Sequence, residues 1–310
     1  MRIVFFGSPI TALPSLAKLL KGGHRVELVI SQPDKPSGRG KKVKPCPVKS
    51  FALEKGLSCY EPERIRKDSA ALEKIRAVEP DIIVVVAYGQ IIPASIFDLP
   101  EHKSINVHFS LLPRYRGASP VQWAVLNGEE KTGVTIFRLN EKLDEGDILA
   151  SETVPILARE NALNLETRLS HIGAELLHRT LTSLGHIRPA GQDHSLATYA
   201  PKLRKEDGQI DWNQDAEIVD RKVRAMTPWP SAYTFFHKRR LIIQEGQPSF
   251  ETADQDSPGR ITSIEKYGIL VGCRNRSLYL IQTLQPENKK SMGAFSFSLG
   301  GHIKASDVLG

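Results

Sequence analysis

The chain has 310 residues, 40% of them hydrophobic and 25% charged, with a formal net charge of +7. That length accommodates two domains with cores of their own, and the composition is ordinary for a globular protein. No stretch approaches the roughly 18 uninterrupted apolar residues of a membrane span. Three cysteines (Cys46, Cys59, Cys273) without CxxC spacing argue against a disulfide framework or a structural zinc site.

A first strand is predicted at residues 2–7 (RIVFFG), and the glycine-serine-proline turn after it comes too early for a secretory apolar region, so the expected location is the cytoplasm. Apolar residues then recur at Ile10, Leu13, Leu16, Leu19 and Leu20, the spacing of one helix face, and Gly22 and Gly23 supply a stop. The next strand is RVELVIS (25–31), and the strand–helix–strand order opens a parallel sheet. Residues 32–47, rich in Pro, Gly and Lys, read as a loop. A helix at 48–55, a weak strand near Cys59 and a helix at 69–77 follow. DIIVVVAYG (81–89) is apolar on both faces, as a central parallel strand must be, and SINVHF (104–109) is another strand. A short helix is expected at 120–126 behind Ser119, strands at 132–139 and 147–155 around an acidic loop, and a long helix at 161–184.

Residues 186–205 lose the pattern and read as a linker. Beyond them, a short helix (215–226), the turn TPWPSAY and short strands at 234–236, 240–244, 259–264, 268–271 and 277–283 suggest a small barrel. The expected architecture is therefore α/β. A Rossmann-like, mostly parallel sheet forms an N-terminal domain (1–186), followed by a linker (187–205) and a small C-terminal OB-like β-barrel (206–310). Trp229, between two prolines, reads as core or as a domain joint rather than a base-stacking platform.

Charge is unevenly spread. Residues 206–310 hold equal numbers of acidic and basic residues, and the surplus lies upstream, much of it in Lys35, Arg39, Lys41, Lys42 and Lys44. A basic loop suits phosphate contacts and salt-sensitive binding; a solvated surface loop is the competing reading. Basic clusters at Arg221, Lys222 and Arg224, at Lys238, Arg239 and Arg240, and at Lys289 and Lys290 could track a nucleic-acid backbone.

The opening FFGSP has one glycine of the GxGxxG fingerprint, and no GxxxxGK[ST] loop is present. The sheet is then a scaffold whose ligand lies at the carboxyl edge of its central strands, where AYG and NVHF end. Asn106 and His108, two apart on a strand, share a face. Moving a one-carbon acyl group between two amines passes through a tetrahedral carbon bearing an oxyanion. Asn106 and a protonated His108 can each donate an N–H to that oxygen. Asp144, in the later loop LDEGDIL, can take the proton that the attacking amine loses. Asp147 beside Gly146 shapes the turn. A lone His at a strand end is more often structural, but Asn and His on one face, with a rigid LLP turn and a basic loop behind, are costly to bury for structure alone.

The run NVHFSLLPRYRGASPVQWA, with AYGQIIP before it and TGVTIFRLNEKLDEGDIL after it, closely resembles the methionyl-tRNA formyltransferases. FFGSP, SQPDKPSGRGKKVKPCPVK, DGQIDW and MTPWPSAYT extend the resemblance over nearly the whole chain. The central block is shared by 10-formyltetrahydrofolate-using transformylases in general; the lysine loop and the C-terminal half narrow it to the tRNA enzymes. The resemblance implies formyl transfer from 10-formyltetrahydrofolate to the α-amino group of initiator methionyl-tRNA, releasing tetrahydrofolate, with no metal. It places Asn106, His108 and Asp144 on the catalytic triad and Ser110, Leu111, Leu112 and Pro113 on a folate-binding turn. Ala87, Tyr88, Gly89, Gln90, Ile91 and Ile92 fall on a segment bordering the pterin, largely through backbone. Lys35, Arg39, Lys41, Lys42 and Lys44 fall on a loop that enters the tRNA acceptor stem. Phe109 departs from the family's pattern, where a small residue is common. A sugar amine or a small ribonucleotide amine is the alternative acceptor, and a monomer without membrane contact is expected.

Overall fold

The computed structural model describes residues 1–37, 42–301 and 303–310. It divides into two compact units. One comprises residues 1–120, 131–155 and 166–201; the other comprises 121–130, 156–165 and 202–310.

The first unit is built on a seven-stranded sheet. Its strands are β1 (Arg2–Gly7), β2 (Arg25–Ile30), β5 (Cys59–Tyr60), β6 (Ile82–Val86), β7 (Ser104–His108), β9 (Lys131–Arg138) and β10 (Ile148–Pro155), in the order β10-β9-β7-β6-β1-β2-β5. The five strands from β7 to β5 are mutually parallel, and β9 and β10 add antiparallel pairs at one side. Central β6, IIVVV, is buried throughout, because covered parallel sheets favour β-branched residues on both faces.

Helix α1 (Leu13–Lys21) follows β1, α2 (Pro47–Glu54) precedes β5, and α3 (Ser69–Ala77) precedes β6. The Asp68 carboxylate accepts from the Ala71 amide at 2.8 Å and caps α3. Val4, Phe6, Ile30, Ile75, Ile83, Tyr88 and Ile96 share one core; Ile96 belongs to the single turn α4 (Ala94–Phe97). At the end of β1, a Cβ on Gly7 would sit 3.0 Å from the Val86 carbonyl oxygen and 2.8 Å from the Phe5 ring. This glycine therefore serves the close approach of β1 to β6 rather than a nucleotide loop. The chain runs from β1 outward through β2 to β5, then crosses to β6 on the other side. The resulting switch point opens at the carboxyl ends of β1 and β6.

Two readings need correction. The lysine-rich stretch 32–47 is not wholly loop. β3 (Lys35–Ser37) and β4 (Lys42–Lys44) form an antiparallel hairpin that pairs Lys35 with Lys44 and Ser37 with Lys42; Arg39 and Lys41 lie outside the described residues. Short polar strands lack the alternation that reveals longer ones. The stretch 186–205 also carries structure: β11 (Tyr199–Ala200) pairs in parallel with β8 (Arg116–Gly117).

The second unit includes α5 (Pro120–Leu126) from residue 121 onward and α7 (Ala216–Ala225). The long helix α6 (Ala162–Thr182) begins within its residues, and residues 166–182 belong to the first unit. Its sheet has the order β12-β13-β16-β15-β14, every pair antiparallel. The strands are β12 (Ala232–Phe236), β13 (Arg239–Thr252), β14 (Ile261–Glu265), β15 (Gly268–Gly272) and β16 (Ser277–Pro286), with β17 (Met292–Gly293) added to β16 ahead of α8 (Ala294–Leu299). The β-rich C-terminal domain is thus present, with β13 far longer than its sequence reading because bulges after Ile243 break the alternation.

Buried Trp212 donates to Thr234 Oγ1 at 3.0 Å, whereas Trp229 is 50% exposed and is not a core residue. The basic cluster on α7 is largely spent on structure. Lys222 Nζ donates to the Asp207 carbonyl, and Arg224 pairs with Asp220 and donates to the Glu160 carbonyl. Lys238, Arg239, Lys289 and Lys290 are exposed.

Candidate active site

Period-two alternation in β7 sends Asn106 and His108 to one face and Val107, followed by Phe109, to the other. A Cβ at Gly173 on α6 would meet Val107 at 2.9 Å and Phe109 at 3.4 Å. Phe109 therefore packs under the helix, away from His108.

His108 is nearly buried, and its Nε2 lies 2.9 Å from the Tyr115 carbonyl oxygen. A carbonyl only accepts, so Nε2 carries a hydrogen and Nδ1 is left for chemistry. That Nδ1 stands 3.9 Å from Asp144 Oδ2, with both side chains almost wholly shielded from solvent. The gap exceeds a direct hydrogen bond. Asp144 Oδ2 also accepts from the Gly117 amide at 2.8 Å. Asn106 Oδ1 is buried without a hydrogen-bond partner, a state that costs about 1–3 kcal/mol when nothing satisfies it.

The backbone here is strained. Asp144 has φ 52°, Tyr115 φ 60° and Gly117 φ 120°. Left-handed conformations at non-glycine residues cost about 1–3 kcal/mol each and gather where geometry serves a site. A Cβ on Gly117 would also lie 2.7 Å from the Ala200 carbonyl oxygen.

The turn after β7 is held from within. Ser110 Oγ donates to the Arg114 carbonyl at 2.7 Å. Thr135 Oγ1 donates to the Ser110 carbonyl at 2.7 Å and accepts from the Leu112 amide at 3.1 Å. Ser110 and Leu112 are buried, Leu111 and Pro113 half-buried, and the Leu112–Pro113 bond is cis.

After β6, Ala87 (φ 47°) and Gly89 (φ 79°) are exposed, while Tyr88 turns inward against Phe6, ring centroids 5.1 Å apart. Burial pushes the Tyr88 hydroxyl well above its ordinary value, so it stays neutral. Gln90 is occupied elsewhere: its Oε1 accepts from the Ile65 amide, and its Nε2 donates to the Pro62 and Glu63 carbonyls. Ile91 is exposed and Ile92 buried. This segment therefore offers a ligand chiefly main chain and the Ile91 side chain.

The sequence reading missed a layer behind Asp144. Arg116, in the basic stretch just behind the LLP turn, is 1% exposed and bonds Gln192, Glu145 and His194. Gln192 in turn bonds the main chain at Asp144 and Gly146. The only hint in the sequence was that Arg116 directly precedes a glycine within the block that carries the site. Among the described residues, no group of three or more His, Cys, Asp or Glu is placed to hold a metal ion, and no helix is long and apolar enough to cross a membrane.

Residues 1–181 match the family described as formyl transferase, and residues 202–301 match the formyl transferase C-terminal domain. A methionyl-tRNA formyltransferase of Citrifermentans bemidjiense is 44% identical over 312 residues, covering 100% of this chain and 96% of its own. The chain belongs to the methionyl-tRNA formyltransferase family. Solved structures agree in fold. The methionyl-tRNA formyltransferase from Clostridium thermocellum aligns with a TM-score of 0.56 at 20% identity, covering 81% of this chain and 94% of its own. An N-formyltransferase from Helicobacter canadensis, in complex with folinic acid and dTDP-3-aminofucose, aligns with a TM-score of 0.68 at 17% identity, covering 90% and 98%. For this formyltransferase family member, the shared fold means that the acceptor amine is not decided by the sheet alone.

Proposed function

We propose that this chain transfers a formyl group from 10-formyltetrahydrofolate to the α-amino group of initiator methionyl-tRNA, with Asn106, His108 and Asp144 doing the chemistry. The observation that carries the reading is the facing of His108 Nδ1 and Asp144 Oδ2 beside an Asn106 with an unmet buried oxygen, in a chain 44% identical to a methionyl-tRNA formyltransferase.

The folate fits the residues present. The exposed Ala87 and Gly89 can offer main chain to the hydrogen-bonding edge of a pterin, and the braced turn Ser110 to Pro113 would hold the folate as well. When bound, the folate would supply an activated formyl group and leave as tetrahydrofolate, its nitrogen gaining a proton to match the one the acceptor amine loses. The Asn106 amide N–H and a protonated His108 Nδ1 then donate to the oxygen that gains charge on the transferred carbon. Asn106 Oδ1 accepts from the incoming amine, holding it for attack. Asp144, fixed by the Gly117 amide, takes the proton released from that amine, directly or through one water. The ester-linked amine is a far weaker base than a lysine, so a useful neutral fraction exists near pH 7.

For tRNA, the reading assigns phosphate contacts to Lys35, Arg39, Lys41, Lys42 and Lys44, and to the exposed Lys238, Arg239, Lys289 and Lys290. Residues 1–186 act as the catalytic domain, 187–205 as the connection and 206–310 as a tRNA-binding domain. The protein works as a cytoplasmic monomer. A sugar-amine acceptor is the second reading, favoured by the fold likeness to the Helicobacter canadensis enzyme. Offering labelled 10-formyltetrahydrofolate with charged initiator tRNA or a nucleotide-linked amino sugar separates the two. Label in the tRNA alone supports the first; label in the sugar alone overturns it.

A further inference from the structure

We propose that the buried Arg116–Gln192 pair is a positioning clamp that holds the Asp144 loop in its strained conformation. The inference rests on Asp144 being the proton acceptor.

Gln192 is 8% exposed and comes from a stretch 48 residues beyond Asp144. Its Nε2 donates to two loop carbonyls, those of Asp144 and Gly146, each at 2.8 Å. Its Oε1 accepts from Arg116 Nε at 3.1 Å and Nη2 at 2.7 Å. Chemistry fixes this amide's orientation, because a guanidinium only donates and a carbonyl only accepts. The rest of the Arg116 fork is taken as well. Its Nη1 lies 3.1 Å from Glu145 Oε1, and its Nη2 lies 3.1 Å from His194 Nδ1, which must therefore be the accepting nitrogen. Glu145 Oε2 further faces Lys142 at 3.5 Å and His194 at 3.7 Å.

The clamp thus grips all three residues of the Asp144-Glu145-Gly146 turn, by two carbonyls and one side chain. Meanwhile the residue after Arg116 delivers the amide that fixes Asp144 Oδ2. One short segment, Arg116–Gly117, sets both the loop and its carboxylate. Thr198, just before β11, secures that segment in turn: the Tyr115 amide donates to Thr198 Oγ1 at 2.9 Å and the Arg116 amide to the Thr198 carbonyl at 2.8 Å. Burying a guanidinium is expensive unless every donor is used. Its near-complete use here, at a turn holding φ 52° on a residue with a side chain, is the pattern of pre-organisation.

Two variants of the full chain test the clamp. Gln192→Met keeps the length but makes neither bond. Gln192→Glu keeps the Arg116 contact but sets an oxygen against the two carbonyls, and it gives the same readout should the first variant fold poorly. Either is expected to lower kcat by about a hundredfold, the cost of misplacing a reacting group by about 1 Å, with KM for 10-formyltetrahydrofolate and charged tRNA within about threefold. In an Asp144→Asn background, Gln192→Met should lower kcat by no more than about threefold, because the group it positions is gone. A kcat within about threefold of wild type in both Gln192 variants overturns the clamp. So does a loss of equal size in both Asp144 backgrounds, which a merely structural role gives. If Asp144→Asn alone leaves kcat intact, the proton-acceptor reading falls and takes the clamp with it; if Asp144→Asn is crippled and Gln192→Met is not, the clamp alone falls.

Discussion

His108 Nδ1 and Asp144 Oδ2 face each other across 3.9 Å, while the far nitrogen of the same ring is held 2.9 Å from the Tyr115 carbonyl oxygen. The ring cannot rotate without losing that bond, so its working nitrogen is chosen by the main chain of a residue seven positions later. Asp144→Asn keeps the amide contact to Gly117 and removes the base. It is expected to lower kcat by about 10²–10⁴-fold while filter-binding affinity for charged tRNA stays within about threefold. His108→Gln should behave alike.

Asn106 contributes a donor and an unmet buried acceptor to the same face. Asn106→Ala is expected to cost about 10²–10³-fold in kcat, measured with both substrates saturating. The variant should gain rather than lose stability to urea, because a buried polar group without a partner is removed.

How much of this was legible in the sequence depends on reach along the chain. The β7 face was legible because alternation is local: Asn106 and His108 against Val107 and Phe109. The ligand edge was legible from the apolar strands that end in AYG and NVHF, whereas the switch point between β1 and β6 needed the strand order. Arg116 and Gln192 were not, because their partnership spans 76 residues and Gln192 sits where no periodicity marks burial. The same limit hid the inward use of Lys222 and Arg224 on α7, whose charge read as surface. Trp229 misled in the other direction, since an aromatic between prolines suggests core yet stands half exposed.

Gly146 is required by close packing, since a Cβ there would collide with the Arg138 carbonyl. Gly146→Ala is expected to lower stability by about 1–3 kcal/mol in urea unfolding and to depress kcat, because the loop that must shift carries Asp144.

In the β3–β4 hairpin, Lys35 and Lys44 occupy directly paired positions. Lysines that neutralise phosphates release counterions on binding. The double variant Lys35→Gln and Lys44→Gln should weaken tRNA binding and reduce the slope of log affinity against log salt by about 1–2. Kinetics with bound tRNA should be unchanged.

Burial is the main cause holding the His24 imidazole below its ordinary value of 6.5, helped by the N-terminal ammonium and His178. The unfolded chain therefore binds this proton more readily than the folded one. The contribution to stability is complete above about pH 6.5 and is lost as pH falls through the window beneath it. Urea midpoints at pH 8 and pH 5 should converge in His24→Gln relative to wild type.

The most direct measurement is single-turnover transfer of labelled formyl from 10-formyltetrahydrofolate into acid-precipitable RNA, by wild type and by Asp144→Asn at saturating enzyme. Wild type should label charged initiator tRNA and leave uncharged tRNA unlabelled, and the variant should be at least about a hundredfold slower. No label in charged tRNA with wild type, or label at the wild-type rate with Asp144→Asn, would contradict the account.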